Sequence, residues 1–123
     1  MKAIVLPEKY DYLALDNTEI RLLMQQAKHG SIAHGTMLPH SISKAITHKT
    51  VHETWFVLSG TGKMWRKMEG VERLDQLNPK MIIDMPLGVE YQFASDNEPL
   101  VFLIITMPPW PGSDEAVLLP DQS

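Results

Sequence analysis

From Ser31 onward the chain alternates short apolar-rich runs with turn residues. Ser31 to Met37, Lys44 to His48, Thr54 to Leu58, Gly62 to Met68, Val71 to Leu77, Met81 to Met85 and Glu90 to Ala94 all have strand length. Leu100 to Thr106 is a continuous β-branched and aromatic run, the pattern of a strand covered on both faces. The punctuation is specific: Glu69-Gly70 suits a tight hairpin, while Asn78-Pro79 and Asp96-Asn97 mark turns. Short strands at this spacing predict an all-β sandwich or barrel. The segment Ile20 to Ala27 fits two patterns. Ile20, Leu23, Met24 and Ala27 share a helical face, with Asp16 and Glu19 placed as a capping box; Ile20, Leu22 and Met24 alternate as in a strand. Local pattern alone favours the helix slightly. The proline- and acid-rich segment from Pro108 to Glu115 reads as irregular.

At 123 residues the chain is one domain, 1–123, with a barrel core at about 19–107 and an irregular tail at 108–123. No repeat or linker divides it. The net charge of −4, with the basic residues scattered, argues against nucleic acid as a partner. No apolar run is long enough to cross a bilayer, and the first residues are too short for a signal peptide, so no membrane partner is expected. The absence of cysteine excludes thiolate chemistry and fits a cytoplasmic location. The eight methionines read as adaptable core filler, a few of them available to line a pocket.

Candidate chemistry concentrates between Ile46 and Gly62, where His48, His52 and Glu53 precede the apolar run Trp55-Phe56-Val57-Leu58. Imidazole and carboxylate groups are common ligands of first-row metals, and strands hold such groups rigidly.

This stretch resembles the first motif of the cupin superfamily, small double-stranded β-helix barrels of jelly-roll type. Glu53 and Gly60 match the glutamate and closing glycine of that motif, and His48 matches the second histidine of its His-x-His pair, whose first is Ile46 here. Pro86-Leu87-Gly88 matches the centre of the second motif, but its leading glycine is Lys80, its histidine Tyr91 and its asparagine Ser95. The tail Pro108-Pro109-Trp110-Pro111-Gly112, together with His48, Thr50 and Glu53, looks like that of a largely uncharacterised group of short single-domain bacterial cupins. The resemblance implies a cupin barrel, expected as a homodimer, and moves Ile20 to Ala27 from helix towards strand.

It further implies a cavity beside His48, Glu53, Trp55 and Tyr91 that holds a small polar, sugar- or carboxylate-like molecule, with a degenerate metal site. A metal-dependent isomerase or oxygenase using His48 and Glu53 is the alternative, with Zn, Fe, Mn or Ni as the cofactor. A third reading is a non-catalytic barrel whose surface serves a partner. Whether the chain is an enzyme is left open. His48 and Glu53 make an incomplete ligand set, because zinc and iron sites usually take three protein ligands. His52 adjoins Glu53 and so points to the opposite face of a regular strand; it is expected outside. Tyr91 is expected as a hydrogen-bonding wall, and Trp55 shares the Glu53 face. Without a metal, a buried Glu53 would suit a general acid or base. Trp110 is expected to pack, as a lid over the mouth or as an anchor for the tail. His29, His34 and His40 are expected at the surface or satisfied.

Overall fold

The computed structural model describes residues 3–25 and 28–120. Among the described residues, eleven strands form two antiparallel sheets. They are β1 (Tyr12–Leu13), β2 (Glu19–Met24), β3 (Ser31–Met37), β4 (Ile46–His48), β5 (His52–Ser59), β6 (Gly62–Met68), β7 (Val71–Leu77), β8 (Ile82–Met85), β9 (Glu90–Ser95), β10 (Leu100–Met107) and β11 (Ala116–Leu118). One sheet has the order β1-β2-β3-β10-β5-β8 and the other β11-β4-β9-β6-β7. Among the described residues no helix is long and apolar enough to cross a membrane.

The segment from Ile20 is a strand, not a helix; its far end, Ala27, lies outside the described residues. A register shift between Leu22 and Met24 against β3 explains the ambiguity. The irregularity brings an extra residue into the strand, and that mimics helical spacing. Asp16 serves no helix cap: its carboxylate accepts the Thr18 amide at 3.1 Å in the turn before β2.

β10 is central to its sheet, but its faces differ. Leu100, Phe102, Ile104 and Thr106 are buried, whereas Val101, Leu103 and Ile105 are only partly covered, so the expectation of burial on both faces holds for one. The tail is less irregular than the sequence suggested. After a short 3-10 turn at Ser113–Glu115, Ala116–Leu118 pair with β4, which extends the second sheet beyond the expected boundary at 107.

Alternation places one side chain in two inside the barrel. Trp55 stacks on Phe102 with ring centroids 4.2 Å apart, and meets Phe93 and Tyr91 edge-on at 5.0 and 5.6 Å. Two of these rings, Trp55 and Tyr91, also line a cavity inside the barrel. Gly60 ends β5 at φ +83°, where a Cβ would lie 2.1 Å from the Pro99 carbonyl oxygen; both conformation and space require glycine.

Candidate functional site

β4 and β5 meet at a corner and deliver His48 and Glu53 to the same point. His48 ends β4, and Glu53 is the second residue of β5, on the face it shares with Trp55. β9 pairs with β4 so that Tyr91 lies opposite Ile46, two residues before His48 on the same face. His48 Nε2 is 3.1 Å from Glu53 Oε2 and 3.1 Å from the Tyr91 hydroxyl. The Trp55 indole donates to Glu53 Oε1 at 2.9 Å. Three of the four expected residues thus converge directly, and Trp55 supports the carboxyl from behind.

The tail supplies a residue that sequence reasoning passed over. Glu115, 3% exposed, accepts from the Thr50 amide at 2.7 Å, the Thr50 hydroxyl at 2.5 Å and the Val51 amide at 3.1 Å. Its Oε2 lies 3.6 Å from His48 Nδ1, an electrostatic contact rather than a hydrogen bond. The imidazole therefore sits between two carboxyl groups of different character. Burial opposes ionisation of Glu115, but the hydrogen bonds from Thr50 and Val51 outweigh it and the pKa is lowered. Glu53 is 4% exposed, and burial, with smaller contributions from Asp16 and Glu115 against the opposing Trp55 indole, pushes its pKa up to about 8. Burial lowers the pKa of His48 despite the pull of Glu115. Tyr91 is pushed well above its ordinary value by burial first, then by Glu53 and Asp16. At neutral pH these directions favour a protonated Glu53, a neutral His48 and an ionised Glu115. The Glu115 charge favours the His48 proton on Nδ1, which leaves Nε2 as an acceptor facing Glu53 and Tyr91.

Above this cluster lies a cavity of about 110 Å³. Its walls are mostly apolar, from Ile20, Leu22, Ala33, Ile46 and Ile104, and its polar floor is His48, Glu53 and Tyr91. Tyr12 and Trp110 stand at one side with rings stacked at 5.4 Å and 9°. The Trp110 amide donates to Ser31 Oγ at 2.9 Å, and Ser31 Oγ in turn contacts Thr106 Oγ1. Trp110 both packs against the barrel and walls the cavity. Asp16, buried and with its pKa raised by burial, also lines the cavity, whereas none of the described lining residues is Lys or Arg.

His52 points outward, as expected, and pairs with Asp84 at 2.6 Å on the exposed surface. His29 and His40 are exposed. His34 departs from expectation: it is buried on β3, and its Nδ1 has no hydrogen-bond partner.

The residues do not fit the metal that the sequence resemblance implied. Among the described residues no group of three His, Asp or Glu side chains is placed to hold an ion. Of the four positions in question, one is the apolar Ile46 and another a phenol whose ionisation is suppressed. The remaining carboxyl favours its proton and lies within hydrogen-bonding distance of the remaining imidazole. His48 and Glu53 thus lie 3.1 Å apart as an acid–base pair, and among the described residues no group of three ligands forms around them.

The chain has a double-stranded β-helix fold, the fold that the resemblance of its motifs to cupins implied. It superposes on oxalate decarboxylase from Bacillus subtilis with a TM-score of 0.81 at 14% identity, over 94% of this chain and 31% of that one. A conserved protein with a double-stranded β-helix domain from Klebsiella pneumoniae matches at 0.73 and 15% identity, over 98% of this chain and 99% of the other. The polyketide cyclase RemF from Streptomyces resistomycificus matches at 0.70 and 19%, over 98% and 89%. The chain thus spans about a third of the oxalate decarboxylase. No protein-family model and no curated protein matches the sequence.

Proposed function

We propose that this protein binds one small, uncharged, hydrogen-bonding molecule in its barrel, without a metal. The observation that carries the reading is the juxtaposition of an apolar cavity of about 110 Å³ with a floor of one acceptor and two hydroxyl donors. For comparison, an apolar cavity of ~150 Å³ takes up benzene, so a ligand of up to roughly six non-hydrogen atoms is the right size.

Charge narrows the class. Asp16, Glu53 and Glu115 surround the cavity floor, and no cationic side chain lines it among the described residues. A carboxylate ligand would add a further acid to a desolvated acidic site. Oxalate, named for one structural neighbour, is for that reason a poor fit here. Of the sugar-like and carboxylate-like ligands that the sequence allowed, the hydroxyl- or carbonyl-bearing neutral molecule is favoured.

The test is a set of small neutral carbonyl and polyhydroxy compounds beside their carboxylate counterparts, followed by amide and indole NMR shifts. The expected result is saturable shifts at Tyr91, Trp55 and Trp110 with neutral compounds alone. Shifts confined to the outer surface, or a preference for the carboxylates, would reject the reading.

A further inference from the structure

The cluster on the cavity floor has more polar machinery than binding needs. A hydrogen-bonding pocket requires a donor and an acceptor. This one adds a carboxylate, Glu115, fixed by three donors behind the imidazole, and an indole fixing the carboxyl from the side. The result is a base with two acids, each held 3.1 Å from its Nε2. Positioned groups of this kind are what proton transfer to and from a bound molecule needs.

We infer that His48, Glu53 and Tyr91 form a metal-free proton-transfer site that enolises a small uncharged ketone or aldehyde. This rests on the binding reading above and assigns its ligand class. The carbonyl oxygen takes the place of His48 Nε2 as acceptor of the Glu53 and Tyr91 O–H groups. That shift leaves the Nε2 lone pair facing the carbon next to the carbonyl. The α C–H bond breaks, its proton forms an N–H bond at Nε2, and its electron pair moves through the new C=C bond onto oxygen. Oxygen takes the Glu53 proton, giving an enol, an imidazolium and a carboxylate. Return of a proton to the same carbon regenerates the ketone. In an α-hydroxy ketone, return to the neighbouring carbon gives the isomer, with the hydroxyl proton restoring Glu53. Every atom and electron is accounted for, and no oxidant, reductant or second substrate is required.

Geometry distributes the roles. Glu115 touches no part of the bound molecule; it is a positioning residue whose charge favours the Nδ1–H form of His48 and stabilises the imidazolium once formed. Asp16 lines the same cavity and acts electrostatically on Glu53 and Tyr91, so it is available to meet a second hydroxyl on the substrate. The Tyr12 and Trp110 rings help wall the cavity, restricting the water that would otherwise compete for the donors.

The test uses the full-length protein in D2O with acetoin, dihydroxyacetone and cyclohexanone as probes. Loss of the α-proton signal is followed by NMR, and binding by the non-exchangeable ring C–H shifts of Trp55 in the same samples. The expected result is exchange at least about 100-fold above buffer for one probe, the usual reach of positioned acid–base groups. Tyr91→Phe, which removes only a hydroxyl, should cost about tenfold, and His48→Gln should return the rate to buffer, while His52→Gln on the outer face changes nothing. For Glu115→Gln, the imidazole nitrogen shifts of His48 should show loss of the Nδ1–H preference together with slower exchange. Binding without enhanced exchange overturns this inference and leaves the binding reading standing. Exchange that survives His48→Gln also overturns it, and a panel that neither binds nor exchanges rejects both.

Discussion

Glu53→Gln is the sharpest probe of the site, because the buried carboxyl makes a signed contribution to stability. Its folded pKa of about 8 lies above the unassociated value of 4.5, and the first cause is burial. Between those pH values the unfolded chain has released a proton that the folded chain keeps. Stability is therefore fully present below the unfolded pKa and is lost as pH rises towards the folded one, at about 1.4 kcal/mol per pH unit. At neutral pH the loss is on the order of 3 kcal/mol, a large share of the ~5–15 kcal/mol that holds a domain together. Glutamine keeps the shape and an acceptor for the Trp55 indole, but it has no proton to lose. Urea unfolding of both proteins at intervals from about pH 5 to pH 8 isolates the effect, since Asp16 and Glu115 are common to both. The difference in unfolding free energy should move steadily in favour of Glu53→Gln as pH rises. A difference that stays constant across that window would mean that Glu53 titrates as an exposed carboxyl, and the account of the cavity floor would fail.

Three further outcomes follow from the same geometry. Glu115→Ala leaves the Thr50 and Val51 amides without their acceptor and should destabilise the fold by about 2–4 kcal/mol, with faster hydrogen exchange at those two amides; unchanged exchange there would show that the tail does not hold the β4–β5 corner. Trp110→Ala removes the stack on Tyr12, worth about 0.5–1.5 kcal/mol, and in a Trp65→Phe background should make Trp55 more accessible to acrylamide; equal quenching would mean that the pair does not screen the cavity. The untagged protein should carry well under one equivalent of divalent metal, whereas Ile46→His combined with Tyr91→His should take up zinc stoichiometrically; a double variant that folds yet stays metal-free would show that these positions do not converge as the motif comparison assumes.

Much of the fold was legible because local chemistry and tertiary structure agree there. The strands from Ser31 onward begin and end within a few residues of where turn residues predicted, and the Glu69-Gly70 turn has positive φ at both residues, as a tight hairpin requires. Legibility failed where a residue's role is set by a distant partner. The Ile20 segment read as helix because a bulge against β3 copies helical spacing, and the bulge exists only through pairing with that strand. Ala116–Leu118 looked irregular after so many prolines, yet these residues find an edge in β4. Glu115 was invisible as a site residue for the same reason: its partners Thr50 and Val51 stand 65 and 64 positions away in sequence. Asp16 carried a signal, a carboxylate two residues before Thr18, but the capping-box pattern gave that signal another explanation.

The two departures at histidine positions of the cupin motifs, Ile46 and Tyr91, are a single structural change. Ile46 and Tyr91 lie far apart in the chain, and each alone reads as the loss of one ligand; in the structure they are direct partners across the β4–β9 ladder. An apolar side chain beside a phenol replaces what would be two imidazoles at one spot. His48 lies within hydrogen-bonding distance of both Glu53 and Tyr91. Glu53, beside them, is buried with no Lys or Arg among the described residues that line the cavity, and burial above all keeps its proton on to a higher pH. Paired substitution at one ladder position thus converts a set of ligands into a set of proton donors and acceptors. Glu115, brought in by the tail, supplies the negative charge behind the imidazole that makes such a set directional.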